Sequence, residues 1–231
     1  MRLKITPFNS DSKLLFSAPE PMSTSIPSWM TKMPLYADGG KKLKVTPTSA
    51  NETVKACSPF LDTFLTGYII KLAVDIHVSK DGDNHNLVWR TGRAIETHSP
   101  SQISKAQTQD KYGHQPFKFM NEWVVNTPKG YSTLFTHPLN RTDLPFETLA
   151  GVVETDTYKL PINFPFLLDK DYEGVLERGT PIVQLIPFKR EPWRISEAAF
   201  DEEVSKKSRF DFYAKMIRPY KSLHWVKKDY R

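Results

Sequence analysis

GVVETDTYKLPINFPFLLDKDYEGVLERGTPIVQLIPF, running from Gly151 to Phe188, is the stretch on which the fold turns. Two apolar runs, Gly151–Val153 and Ile182–Ile186, flank a segment that itself alternates toward strand. Short runs rich in Val and Ile and bounded by turn residues read as buried strands. Glu177-Arg178-Gly179-Thr180-Pro181 is a polar turn, with Gly179 where a positive φ costs least. The reading is strand, turn, strand, with the acidic Glu154-Thr155-Asp156 at the end of the first strand.

Upstream, Tyr131–Thr136 and Phe117–Asn126 read as partner strands joined by the turn Thr127-Pro128-Lys129-Gly130, with Pro early and Gly late. Pro138-Leu139-Asn140-Arg141 ends the Tyr131–Thr136 strand. Tyr68–Val78 is a strand or strand pair rich in Ile and Val. Lys80-Asp81-Gly82-Asp83 is a hairpin turn, because Asp-Gly suits the primed turns that match strand twist, and Leu87–Trp89 is its return strand. Thr53–Ala56 reads as a short strand and Pro59–Leu65 as a one-turn helix that Gly67 ends. His98–Gln115 is polar, and a helical turn there would bring His98 and Gln102 together.

Residues 1–50 carry Pro7, Pro19, Pro21, Pro27, Pro34 and Pro47 and show no sustained period, which predicts an extended arm with one helical turn near Ser28-Trp29-Met30. The arm packs its Trp29, Met33, Leu35 and Tyr36 along its own domain or on a neighbouring subunit. Downstream, Ser196 is the expected N-cap of a helix running to Pro219, followed by a basic, aromatic tail with Tyr220, Trp225 and Tyr230. The chain thus divides into a Pro-rich arm (1–50), a β domain (51–192) and a C-terminal helix and tail (193–231).

Composition supports this mainly β reading. Of 231 residues, 39% are hydrophobic and 12% aromatic, enough for a packed core, and eighteen Pro against ten Gly favour many short extended segments. The net charge of +6 gathers at Lys41, Lys42 and Lys44 and in the tail from Lys206 to Arg231. Such runs are solvated faces in the ordinary case and surfaces for nucleic acid or an acidic partner in the sharper one. A single cysteine, Cys57, excludes an intrachain disulfide and fits a reducing compartment; it reads as a buried structural thiol. No run reaches the length of a membrane helix, and the N-terminus lacks a signal-peptide core. The expectation from these features is a protein made and kept soluble.

The polar residues offer few constellations. His77, His85, His98, His114, His137 and His224 are scattered, without metal-ligand spacing. Gly39-Gly40-Lys41-Lys42 lacks the spacing of a phosphate loop. Glu154 and Asp156 are the candidates that stand out. On a strand, residues i and i+2 share a face, and two carboxylates there repel unless one finds a cation or a proton. They either orient water or hold a metal–phosphate complex, or they make a salt bridge to Arg141, Arg178 or Lys159. Trp89, Trp123 and Tyr131 are core aromatics or a platform for a small molecule or glycan.

Gly151-Val152-Val153-Glu154-Thr155-Asp156-Thr157-Tyr158, followed by Arg178-Gly179-Thr180-Pro181-Ile182-Val183-Gln184-Leu185-Ile186, resembles the dUTPase and dCTP-deaminase superfamily. Thr127–Tyr131 resembles its Pro-x-Gly turn, and Val74-Asp75-Ile76 an earlier Asp motif. The resemblance covers roughly residues 60–190 and implies a dUTPase-like β-sandwich or distorted barrel and a trimer. It implies a catalytic pair, Glu154 and Asp156, with Mg²⁺ as cofactor. Tyr158, Gln184 and Arg141 would bind nucleotide, Tyr158 on the base and Gln184 on phosphate. The chain departs from the pattern: Glu154 stands where the family has Asp, Thr157 is inserted before Tyr158, and His137–Arg141 replaces an Arg-Ser motif. A helix and basic tail replace the Gly-rich C-terminal arm.

A second resemblance spans nearly the whole chain. Pro27-Ser28-Trp29, Cys57–Asp62, Gly67–Ile70, TPKGYSTLFTHPLN at Thr127–Asn140, Asn163–Phe166 and Pro187–Glu191 are similar to an uncharacterised family found in phages, cyanophages among them, and in bacteria. The combined expectation is a non-catalytic structural or interaction protein of a phage. It would form a homo-oligomer with other assembly proteins as partners, in the host cytoplasm or a virion, without cofactor or membrane; nucleic-acid binding through the basic tail is the less favoured reading. The alternative is a nucleotide-binding protein or nucleoside triphosphate pyrophosphatase using Mg²⁺.

Overall fold

Fourteen strands, numbered β1 to β14 in chain order, make up most of the regular structure in the computed structural model, which describes residues 2–37, 51–103, 111–214 and 219–231. They are β1 (Lys4–Pro7), β2 (Glu20–Pro21), β3 (Tyr68–Lys71), β4 (Ile76–Asp81), β5 (Asn84–Val88), β6 (Ile95–Thr97) and β7 (Tyr112–Phe119). There follow β8 (Trp123–Asn126), β9 (Tyr131–Thr136), β10 (Phe146–Thr148), β11 (Gly151–Val153), β12 (Phe164–Asp169), β13 (Gly174–Leu176) and β14 (Pro181–Lys189). The chain is mainly β, its pairings are antiparallel, and among the described residues the sheets stay open and close no barrel.

Two units form. Residues 1–25 and 67–190, with Arg231, make the first; residues 26–66 and 191–230 make the second. In the first, sheet order is β11-β9-β14-β3-β2, β10-β12-β7-β6, β13-β4-β5 and β1-β8. The long β14 sits centrally because its run from Pro181 to Leu185 is buried throughout. Such a strand needs apolar neighbours on both faces. Pro187, a poor fit to a central strand, lies beyond the part paired with β3.

The core of this unit is aromatic. Phe117, Phe119, Phe135, Phe146, Phe164 and Phe166 are each at most 2% exposed. Phe119 stacks on Phe166 at 3.7 Å between ring centroids, and Phe146 meets both rings edge-on. Truncating one such ring costs about 3–5 kcal/mol. Gly67 leads into β3 with φ +77°, and a Cβ there would lie 2.0 Å from the Leu185 carbonyl oxygen, so only glycine fits.

The second unit is small. Ser28–Lys32 and Ser58–Asp62 are helical turns, and Trp29 and Phe60 both pack edge-on against Phe64. The arm's Trp29 therefore packs on its own chain. Trp225 donates its Nε1 hydrogen to both Asp62 oxygens, at 3.0 and 3.1 Å, anchoring the tail. No described helix is long and apolar enough to cross a membrane.

Several elements differ from the sequence reading, each for a local reason. Phe117–Asn126 is two strands in different sheets, split where the buried Asn121 donates to the carbonyls of Trp123 and Ile162 and accepts the Trp123 N–H. Thr53–Ala56 is a 3₁₀ turn instead of a strand, because the Thr53 carbonyl accepts the Ala56 N–H and its hydroxyl accepts that of Lys55. The C-terminal helix starts at Glu202, since Asp201 caps it by accepting the Val204 N–H at 3.0 Å. Pro219 opens a further helix, Pro219–Leu223, instead of closing the first. Cys57 is exposed, as the residue before the Ser58–Asp62 helix. Gly39–Lys42, Lys44 and Pro47 lie outside the described residues.

Candidate functional site

The expected strand ends at Val153, and Glu154–Thr157 is a turn, so Glu154 and Asp156 do not share a strand face. The Glu154 carbonyl accepts the N–H groups of Thr157 and Tyr158 and the Thr157 hydroxyl, which tightens the turn. Its carboxylate is exposed. Asp156 turns inward, and its side chain is 3% exposed.

Asp156 is fully engaged. Its Oδ1 accepts Arg190 Nη1 at 3.0 Å, and its Oδ2 accepts Arg190 Nη2 at 2.5 Å and the Gly130 N–H at 2.9 Å. Arg190 also donates to the Tyr131 carbonyl at 2.8 Å and the Ser132 hydroxyl at 2.9 Å, and its own N–H reaches the Gly130 carbonyl. Gly130 adopts φ +85°, and this one residue serves both partners, its N–H on Asp156 and its C=O on Arg190. The Arg190 hydrogen bonds, then the Gly130 amide, lower the Asp156 pKa to about 2. A carboxylate so held accepts no proton near neutrality and binds a metal only by releasing its guanidinium. The pairing fastens three segments: the 127–130 turn, the 154–157 turn and the end of β14.

Thr155 lies between the two acids and is completely buried. Its hydroxyl is 2.7 Å from that of Thr127 and 2.8 Å from that of Thr133, and Thr127 donates to the Tyr131 carbonyl. With one proton per hydroxyl, the chain runs Thr133 to Thr155 to Thr127 to the backbone.

Gln184 and Arg141 meet at the loop after β9 instead. Gln184, completely buried on β14, accepts the Leu139 N–H at 2.9 Å. Arg141 is 8% exposed and pairs with Asp143 through Nε and Nη2 at 2.8 and 2.9 Å. His137 Nε2 donates to the Arg141 carbonyl, and its Nδ1 accepts the Thr148 N–H. That arrangement needs the neutral ring, and burial lowers the His137 pKa to match. Tyr158 is 43% exposed at the surface.

Sequence reasoning named Arg141, Arg178 and Lys159 as partners for the acids and missed Arg190. Arg141 is taken by Asp143, and Lys159 reaches the Asp156 carbonyl and Asn126; of Arg178, the backbone N–H donates to Asp75. The missed signal was position: a basic residue just beyond a central strand lies beside the turns that flank its neighbours. Trp123 is buried with its Nε1 on the Phe16 carbonyl, so it belongs to the interior and to no surface platform. His98 and Gln102 do meet, across a 3₁₀ turn. No cluster of three metal-binding side chains occurs among the described residues.

Among solved structures the chain is similar to phage dUTPases at low identity. A variant of the Staphylococcus bacteriophage 80alpha dUTPase with dUpNHpp gives 11% identity and a TM-score of 0.40, over 87% of this chain and 99% of that one. Two structures of the dUTPase from phage phi11 of S. aureus each give 10% identity and a TM-score of 0.38, over the same shares. No family model and no curated protein sequence matches the chain.

Proposed function

We propose that the chain is a non-catalytic assembly protein of phage type that works as a homo-oligomer, with a trimer as the expected copy number and the virion as its destination. The observation that carries this reading is the C-terminal stretch. Trp193 is 86% exposed, Ile195 104%, Phe200 79%, Phe210 73% and Tyr213 66%. The helix Glu202–Ala214 buries none of its thirteen residues. A helix of that length is marginal in water by itself, and a partner surface would stabilise it. Each large apolar side chain covered there contributes roughly 1.5–3 kcal/mol. The engagement of Asp156, Arg141 and Gln184 in holding turns and loops supports the non-catalytic part.

The test is light scattering on the full chain and on a Trp193→Ser/Ile195→Ser/Phe200→Ser variant, each with a panel of nucleoside triphosphates. The expected result is an oligomer that nucleotides do not alter and that the variant weakens. A monomer at tens of micromolar would sink the oligomer reading. Pyrophosphate release that Glu154→Gln abolishes would replace it with the nucleotide reading. Absence from purified particles would remove the virion role, and a steep salt dependence of nucleic-acid binding would bring in the basic tail.

A further inference from the structure

We propose that the cleft between β5 and β6 takes up an extended peptide from a partner protein by strand addition, a heterologous interaction beyond self-assembly. The cleft has a volume of about 380 Å³ and is lined by His85, Asn86, Leu87 and Trp89 on one side, by Ile95, Glu96 and Thr97 on the other, and by Phe117. Consecutive residues of a strand point to opposite faces. A cleft lined by consecutive residues of two strands is therefore walled by their edges. Both strands are edges among the described residues, where β5 pairs only with β4, and β6 only with β7.

The register shows which backbone groups face the opening. Asp81 and Asn84 close a two-residue hairpin loop and form a hydrogen-bonded pair. Pairs alternate along an antiparallel ladder, so Asn86 and Val88 bond to β4 while His85 and Leu87 turn their N–H and C=O groups away from it. On β6, Met120 donates to the Ala94 carbonyl and His98 to that of Pro116. By the same alternation Glu96 bonds to β7, and Ile95 and Thr97 face outward. His85, Leu87, Ile95 and Thr97 are all cleft residues. None of their backbone groups has a partner in the hydrogen bonds of the described residues.

An extended chain matches this array, because its N–H and C=O groups recur at the same spacing. Its alternate side chains would meet the half-buried Leu87 and Trp89, over a floor closed by Ile95 and Phe117, which are 4% and 1% exposed. The Trp89 ring is fixed beforehand by its Nε1–H bond to the Gly92 carbonyl at 2.9 Å. Charge selects the partner. Glu96 pairs with both Lys118 and Arg93, and Arg90 and Arg93 stand exposed in the loop joining the two strands. That end of the cleft keeps a positive surplus, whereas at the other His85 lies near Lys80, Asp169 and Glu173. The occupant is a strand with apolar residues at alternate positions and carboxylates at its end over Arg90 and Arg93.

The experiment uses the full chain and an array of nonapeptides, acetylated and amidated, with Val, Ile, Leu, Phe or Tyr at alternate positions and Asp, Ser or Lys at the flanks. Binders should be confined to alternating, Asp-flanked sequences, and Lys flanks should weaken them at least tenfold. N-methylation of the amides in one register should abolish binding, since it removes strand pairing and keeps the side chains. Thr97→Pro deletes an outward N–H on an edge strand, where proline is tolerated, and should lose binding that Thr97→Val keeps. Should Thr97→Pro fail to fold, the N-methylated peptides on the unaltered chain decide. The proposal is overturned if no array member binds, or if N-methylated peptides bind as well as their parents. Tighter binding by a peptide of residues 191–203 than by any array member would also overturn it, by making a second copy of the chain the occupant.

Discussion

Replacing Thr155 by Val keeps the shape of a completely buried side chain and removes its hydroxyl. Thr155 lies in the middle of a directional chain, so two neighbours lose a partner. Thr133, itself completely buried, loses the acceptor for its proton, and Thr127 loses its donor. Stranding a buried polar group costs about 1–3 kcal/mol, so Thr155→Val should cost about 2–4 kcal/mol. Thr133→Val removes the first member, strands no proton, and should cost only about 1 kcal/mol. In the double variant the group that Thr155→Val strands is itself gone. Its cost should fall short of the sum of the singles by about 1 kcal/mol or more. Urea unfolding measures all three. With a slope of about 2 kcal/mol/M, Thr155→Val moves the midpoint down by about 1–2 M at unchanged slope. Thr133→Val costing as much as Thr155→Val, or strict additivity, would refute the directional chain.

Asp156 has a folded pKa of about 2 against an ordinary 3.8, so its ionisation supports the fold fully above pH 3.8 and loses that support as pH falls through 2. Asp156→Asn should flatten the melting-temperature profile between those values; an unchanged acid limb would show that the Arg190 pairing contributes nothing. Burial lowers the His137 pKa, so its contribution is complete above the ordinary histidine value of 6.5 and fades as pH drops through the lower folded one. Nitrogen-15 NMR should find the neutral Nε2–H tautomer at pH 6.5, and a cationic ring there would contradict the geometry. Gly67→Ala should cost at least about 2 kcal/mol in chemical denaturation, because positive φ and the Leu185 carbonyl both exclude a Cβ. A near-neutral effect would mean that the segment before β3 can shift freely.

Patterns that depend on neighbours in sequence were legible before the structure. The Asp-Gly hairpin, the Pro-early, Gly-late turn before Tyr131 and the apolar run of β14 all carry their signal within a few residues, and each appears where local chemistry put it. The candidate site was legible as a location and not as a mechanism. Glu154 and Asp156 were found, but their relation depended on a strand that ends at Val153, before either acid, and the cation for Asp156 came from thirty-four positions away. Asn121 shows the same limit: a polar residue inside an apolar run reads as surface until its hydrogen bonds to Trp123 and Ile162 show it ending one strand and aiming the next. Sequence period also placed the C-terminal helix too early, because apolar spacing marks a face and only a cap such as Asp201 marks a start.

The order in which the chain visits its two units has a consequence for biosynthesis. Residues 26–66 belong with residues 191–230, and the whole of 67–190 is made in between. At about 5–20 residues per second, a ribosome takes roughly 6–25 s to pass from Thr66 to Glu191. For that interval Trp29, Phe60 and Phe64 await the segment that contains Trp225, the donor to Asp62. The other unit waits from the opposite side, since β1 emerges about 120 residues before the β8 strand it pairs with. Each unit therefore finishes only when distant parts of the nascent chain coexist, and chaperone dependence during translation should exceed what refolding of the purified, full-length chain would suggest.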